Sequence, residues 1–255
     1  MSKTAFITGS TAGIGLTTAQ MLQQTGHRVV LHARNPSRAA QSSVLNAPVV
    51  VGDLSSLAEI EAVAGQVRSL GSMDAVIHNA GIYEPGGRVQ TVDGLERTFQ
   101  VNVLAPYVLT ALIPLPSRLV YVTSGMASGG QIVLDDLQRQ QRRWSATGAY
   151  QDSKLCDIAL ALVMAQRYPD TVVTAVCPGW VRTQMGGAGA PTDVRTGSAT
   201  QVWLASSDEP AALRSGRYMR HMRELPVPPA AADEAVQQGL LDACTRLSGI
   251  GLPSV

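Results

Sequence analysis

The stretch Thr8-Gly9-Ser10-Thr11-Ala12-Gly13-Ile14-Gly15 constrains the fold more than any other part of the chain. It follows an apolar run at 5–7 and precedes a segment, 13–24, with helical apolar spacing. Glycines at 9, 13 and 15 permit positive φ and carry no Cβ, so a strand can turn sharply into a helix there. The first N–H groups of that helix, and its dipole, then favour a diphosphate. The spacing reads G-x-x-x-G-x-G rather than G-x-G-x-x-G, and on its own it would also suit an ordinary strand-to-helix turn.

The remainder repeats the alternation. Short apolar runs at 29–31, 48–51, 75–77, 119–122 and 172–176 predict strands buried on both faces, as a parallel sheet requires. Helical segments are predicted at 56–70, 94–112 and 148–167, with a last strand around Tyr218 and a terminal helix over 233–247. Ser56 and Glu59 have capping-box spacing, and Gly26 and Gly71 fall where helices end. Such alternation predicts an α/β fold: one Rossmann-type domain with a doubly wound parallel sheet spanning 1–255. A hydrophobic content of 45% against 15% charged residues suits a sheet between helical layers. The formal charge of +1 supplies no field for nucleic acid or an anionic membrane. Cys156, Cys177 and Cys244 lack metal-site or disulfide spacing, so no metal is expected. Without an apolar stretch long enough to span a bilayer, or a leader pattern at the start, the expected compartment is cytoplasmic.

Chemistry concentrates at Tyr150 and Lys154. Four positions apart on a predicted helix, they share one face. With only two lysines in the chain, Lys3 and Lys154, such a pair arises by chance in roughly 5% of comparable compositions. Ser124 closes the strand run at 119–122, and Cys177-Pro178-Gly179-Trp180-Val181-Arg182-Thr183 follows the run at 172–176. These elements, in this order, resemble the short-chain dehydrogenase/reductase family over nearly the whole chain. The resemblance implies a carbonyl–alcohol oxidoreductase working by hydride transfer with a nicotinamide cofactor and no metal. Gly9, Ser10, Thr11, Gly13, Ile14 and Gly15 would cradle the diphosphate. Asp53-Leu54 would contact adenine, and His78-Asn79-Ala80-Gly81 matches the family's N-N-A-G element with a histidine first, read here as structural. Ser124 would hold the substrate oxygen while Tyr150 exchanges its proton, and Lys154 would favour phenolate and bond the ribose. Val181 and Thr183 would lie beside the nicotinamide, and Asn102 matches an asparagine that organises a relay water.

Ser124 and Tyr150 stand 26 positions apart, a long interval that is similar to the retinol-dehydrogenase-like branch and to bacterial polyketide ketoreductases. Residues 125–147, with Arg139, Arg142 and Arg143, are expected either to cover the site or, as favoured for a charge run, to form a solvated surface. Glycine-rich 184–197, within a wider covering region 184–215, is expected to be a mobile lid. Pro114 and Pro116 end the preceding helix early, which leaves homodimer and monomer both open. Residues 16–52 contain no carboxylate to accept ribose hydroxyls, whereas Arg34 closes the second strand run. NADP(H) is therefore expected over NAD(H), with a small-molecule carbonyl or alcohol as substrate. The alternative reading is a catalytically silent NADPH-binding scaffold on the same fold.

Overall fold

The computed structural model describes residues 2–41 and 45–254. In chain order its elements are β1 (Thr4–Ile7), α1 (Gly13–Gln24), β2 (Arg28–Ala33), α2 (Pro36–Gln41), β3 (Val49–Val51), α3 (Leu57–Ser69) and β4 (Ala75–His78). A broken helix follows, made of α4 (Arg97–Phe99), a π turn (Gln100–Leu104) and α5 (Ala105–Leu112). The second half comprises β5 (Arg118–Val122), α6 (Ala146–Arg167), β6 (Val172–Val176), α7 (Val194–Ser206), β7 (Arg217–Arg220), β8 (Arg223–Glu224), α8 (Pro229–Ala232) and α9 (Glu234–Ser248). The sheet order is β3-β2-β1-β4-β5-β6-β7-β8, parallel except for the final antiparallel pair. The predicted doubly wound sheet is therefore what forms. Its order reverses between β1 and β4, and ligands of such sheets bind outside the strand ends at that point.

Strand alternation builds two cores. Phe6, Val30, Val76, Leu119 and Val173 face the layer containing α3, α5 and α6. Ala5, Ile7, Leu31, Ile77 and Val120 face α1 and α7. Full burial of each large side chain contributes about 1.5–3 kcal/mol. Gly26 and Gly71 follow α1 and α3 with φ of 85° and 99°, as expected of residues past a helix end. Ser56 caps α3 by accepting from the Glu59 N–H, but the Glu59 carboxylate reaches the Asp53 N–H instead of completing a capping box.

Two expectations need correction. The helix predicted at 94–112 starts only at Arg97, because Gly94 has φ +77° and the Glu96 carboxylate caps Thr98 and Phe99. Its π turn then places one extra residue in the ladder around Asn102, a local widening common at functional sites. Residues 194–206, assigned to a covering region, instead form α7, capped by Asp193 and packed on α1. Among the described residues, no helix is long and apolar enough to cross a membrane.

Candidate active site

A cleft of ≈ 730 Å³ opens where the sheet order reverses. The turn between β1 and α1 forms one wall. Gly9 has φ +63°, and a Cβ there would lie 3.0 Å from the Ala80 Cα. At Gly15 a Cβ would come within 2.5 Å of both Asn79 Nδ2 and the Gly9 carbonyl, so side chains are excluded where the chain packs most closely. Ala12, the residue before α1, provides no side-chain cap, and the first turn carries no acid. The N-terminal end of α1 thus faces the cleft with N–H donors that no side chain caps. Thr11, Gly13 and Ile14 line this cleft, as do Asp53, Leu54 and Asn79.

Ser10 does not join them. Its side chain is buried, its hydroxyl donates to Ile7 O and accepts from His32 N, and its own N–H bonds His32 O. It locks β1 to β2 instead of presenting a group to a ligand, which corrects the sequence expectation. His32, passed over in the sequence, supports the same turn. Its Nδ1 accepts from Gly9 N at 2.9 Å, which makes Nε2 the donor to Gly52 O at 2.9 Å. Burial lowers its pKa, keeping the ring neutral in that role. Asn79 ties the end of β4 to the turn, donating from Nδ2 to the carbonyls of Thr8 and Gly9. Asp53 accepts from both the N–H and hydroxyl of Ser55. Arg34 is exposed on the cleft beside Arg38, and among the described residues its guanidinium has no ion pair.

A second cavity, of ≈ 570 Å³, shares Ile14, Tyr83, Thr123, Tyr150, Pro178, Thr183 and Met185 with the first. Ser124 enters it just past β5, with Oγ accepting from Met126 N at 3.2 Å. Tyr150 enters from the start of α6, its ring edge-on to Tyr83 with centroids 5.6 Å apart. Val181 and Thr183 come from the loop after β6, and the Thr183 Cγ2 would lie 3.4 Å from a Cβ at Gly13. One helical turn below Tyr150, the Lys154 Nζ is 6.0 Å from the tyrosine ring centre. That ammonium is buried and donates to Val122 O (2.9 Å) and Asp157 Oδ2 (2.7 Å). Burial disfavours its charge, but Asp157 and Tyr150 outweigh burial and raise its pKa. Burial pushes Asp157 up to about 6, with Lys154 pulling the other way. Asn102 is also buried. Its Oδ1 accepts from Ile82 N, while Nδ2 donates to Ile82 O and Ser153 Oγ.

His78 lies off the site: its Nε2 meets Thr110 Oγ1, its ring packs at a tilt against Tyr121, and burial lowers its pKa to about 3. Residues 125–147 are not a solvated charge run. Arg139 and Arg142 pair with the buried carboxylates of Asp136 and Asp152, leaving Arg143 exposed. From that segment, Gly125 and Met126 line the second cavity. Of 184–197, Met185 and Gly186 reach it, and Trp180 Nε1 donates to Gly186 O. Tyr83, Asp157 and Arg220 were missed in the sequence. Asp157 alone carried a local signal, being three positions beyond Lys154 on one helix face.

A model of the short chain dehydrogenase family matches residues 3–193. An uncharacterised oxidoreductase of Emericella nidulans is 40% identical, the match covering 97% of this chain and 98% of that protein. A Streptomyces protein provisionally named daunorubicin C-13 ketoreductase is 33% identical, covering 97% of this chain and 93% of its own. Human retinol dehydrogenase 14 is 32% identical over 97% of this chain and 87% of its own. Both branches suggested by the Ser124–Tyr150 interval are thus represented among the relatives. With turn, cavity and sheet order in agreement, the chain belongs to the short-chain dehydrogenase/reductase family of NAD(P)-dependent oxidoreductases.

Proposed function

We propose that this protein interconverts a ketone or aldehyde with an alcohol, preferring NADP(H), with Tyr150 as the group that gives or takes the substrate proton. The observation that carries this reading is the convergence of Ser124 and Tyr150 on one cavity, with the Lys154 ammonium buried beneath the tyrosine. The first cleft fits a dinucleotide, since a cradle of Cβ-free backbone and helix N–H groups leads past Arg34 and Arg38. The bound cofactor supplies or accepts the hydride at the substrate carbon.

The residues do the rest. Ser124 Oγ donates a hydrogen bond to the substrate oxygen and holds it within reach of the Tyr150 hydroxyl. In reduction Tyr150 transfers its proton to that oxygen, and in oxidation it removes it. The buried Lys154 ammonium lies 6.0 Å from the tyrosine ring centre and sets a positive charge close to the group that exchanges the proton. Lys154 acts through this charge and offers a donor to the ribose. Asn102 holds the strand-end segment at Ile82 against α6, fixing where Lys154 rises. Arg34 would hold the 2′-phosphate of a bound NADP(H) in a charge-assisted contact, which contributes about 1.5–3 kcal/mol.

Tyr150→Phe keeps the ring and removes the proton. Its kcat/KM should fall by about 10²–10⁴-fold with cofactor affinity retained, and a loss below tenfold would refute the assignment. Arg34→Ala should lower NADPH affinity by about 10- to 100-fold while leaving NADH affinity nearly constant. Equal native affinities for the two cofactors would remove the stated preference.

A further inference from the structure

We propose that Arg220 anchors an anionic group on the substrate, a carboxylate or equivalent oxyanion set several bonds from the reacting carbon of an aromatic or otherwise apolar body. This rests on the oxidoreductase reading above and names the substrate class it leaves open. Arg220 ends β7 and lines the second cavity but not the dinucleotide cleft. Its Nε is buried without a hydrogen-bond partner, and among the described residues its guanidinium forms no ion pair. The guanidinium lies against the loop at Gly179, where a Cβ would be in ordinary van der Waals contact with Nη2 (3.4 Å) and Nε (3.6 Å).

Among the described residues, no carboxylate pairs with this charge. Arg217, on the same strand, pairs with Glu224 at 2.8 Å, whereas the residue opposite Arg220 is Arg223, a like charge. The hairpin between them holds His221 and Met222 at φ +50° and +58°, a left-handed conformation that non-glycine residues adopt at a cost. The turn itself is held by the Met222 N–H, which donates to Thr200 Oγ1 at 3.2 Å, whereas the Arg220 guanidinium is left without a carboxylate, so a ligand is its missing partner.

The cavity specifies that ligand further. Met126, Trp180 and Met185 are large apolar side chains left 39%, 59% and 50% exposed, and all three border this space with Tyr83. They form an apolar wall for a ring or a bulky aliphatic body. Val122, Val176 and Met219 lie in register across β5, β6 and β7, so Ser124 and Arg220 leave the sheet two strands apart. Two inter-strand steps make about 10 Å of main-chain separation, which leaves room for a spacer between the reacting carbonyl and an anion held at the guanidinium. A guanidinium fork suits a carboxylate through two parallel N–H donors.

The test uses a matched pair, γ-benzoylbutyrate and its methyl ester, as substrates, with δ-phenylvalerate and its methyl ester as non-reducible ligands. Dissociation constants are read by Trp fluorescence on the cofactor-saturated protein, and kcat/KM by NADPH absorbance. In the native protein the acid should bind at least tenfold more tightly than the ester, with the same preference in kcat/KM. Arg220→Met should bring both ratios near one, and Arg220→Lys should leave an intermediate ratio. A native binding ratio near one overturns the anchor, as does a ratio that survives Arg220→Met; the native comparison stands even if a variant fails to fold. Equal turnover of acid and ester overturns the anchor and leaves the oxidoreductase reading intact. Preferential acid binding with turnover of neither ketone overturns the carbonyl-reduction reading and supports the anchor.

Discussion

Two buried carboxylates near α6 are paired with cations, yet they titrate in opposite directions. Asp136 accepts from the backbone N–H groups of Gln140, Gln141 and Arg142 and from the Arg142 guanidinium. Burial works against its charge, but these donors prevail and hold its pKa down to about 2. Asp157 meets the Lys154 ammonium, and burial raises its pKa to about 6. Fixed backbone donors make the first pair an anchor for the loop at 125–147. The second pair lacks that support and sits directly under the tyrosine of the cavity. The difference separates a charge that organises structure from one poised to influence a reaction.

Asp136→Asn should break this comparison most forcefully. Removing the charge leaves Arg142 partly buried without its main partner and weakens three N–H contacts, so stability should fall by about 3 kcal/mol. The pH sign follows from the depressed pKa: the stabilisation is present above the ordinary value of 3.8 and is lost as pH falls toward 2. Chemical denaturation from pH 5 down to pH 2 should therefore show a steep loss in the native protein that the variant lacks. With 125–147 contributing only its first residues to the cavity, kcat/KM at temperatures where the variant is folded should stay within about threefold. A change in activity larger than the change in stability would erase the contrast between the clusters.

Asp157→Asn should show the reverse pattern. The amide keeps the shape and withdraws the charge that raises the Lys154 pKa, so the alkaline limb of the pH–rate profile should move to lower pH. Loss of one charge-assisted hydrogen bond should lower kcat/KM by about tenfold. Here the raised carboxylate gives the opposite stability sign. The folded state keeps the proton up to about 6 whereas the unfolded chain releases it near 3.8, so stability falls as pH rises between those values. The variant should flatten that window. An unchanged pH–rate profile would make Asp157 purely structural.

What the sequence made legible follows the range of each interaction. Continuous apolar runs located β1 through β6, because burial on both faces leaves no polar alternation to blur them. Ser124, Tyr150 and Lys154 were readable as an order of residues along the chain, and they do converge. Helix α7 was hidden by sparse apolar residues and by Gly197, which sits against Val181 where a Cβ would collide. The role of Ser10 depends on the neighbouring strand β2, and the pairing of Arg139 with Asp152 depends on a turn that brings the loop back to α6. Arg220 looked like any other arginine, since only the hairpin reveals that its partner is another arginine.

The smallest effect should come from Arg142→Lys, which keeps the charge and tests geometry. The Arg142 Nε bonds Asp136 Oδ2, its Nη2 donates to Asp136 O, and its Nη1 lies 3.2 Å from Asp152 Oδ2. This planar fork spans three acceptors in different directions, and a lysine ammonium on a flexible stem reaches one of them well. Asp152 retains Arg139, and Asp136 retains its three backbone donors, so neither carboxylate is stranded. The loss should be about 1 kcal/mol, visible as a shift in the denaturation midpoint with an unchanged slope. A loss as large as that of Asp136→Asn would mean that the guanidinium, rather than the backbone N–H groups, holds Asp136 ionised. The two clusters would then differ in the number of cations around each carboxylate and not in the rigidity of its donors.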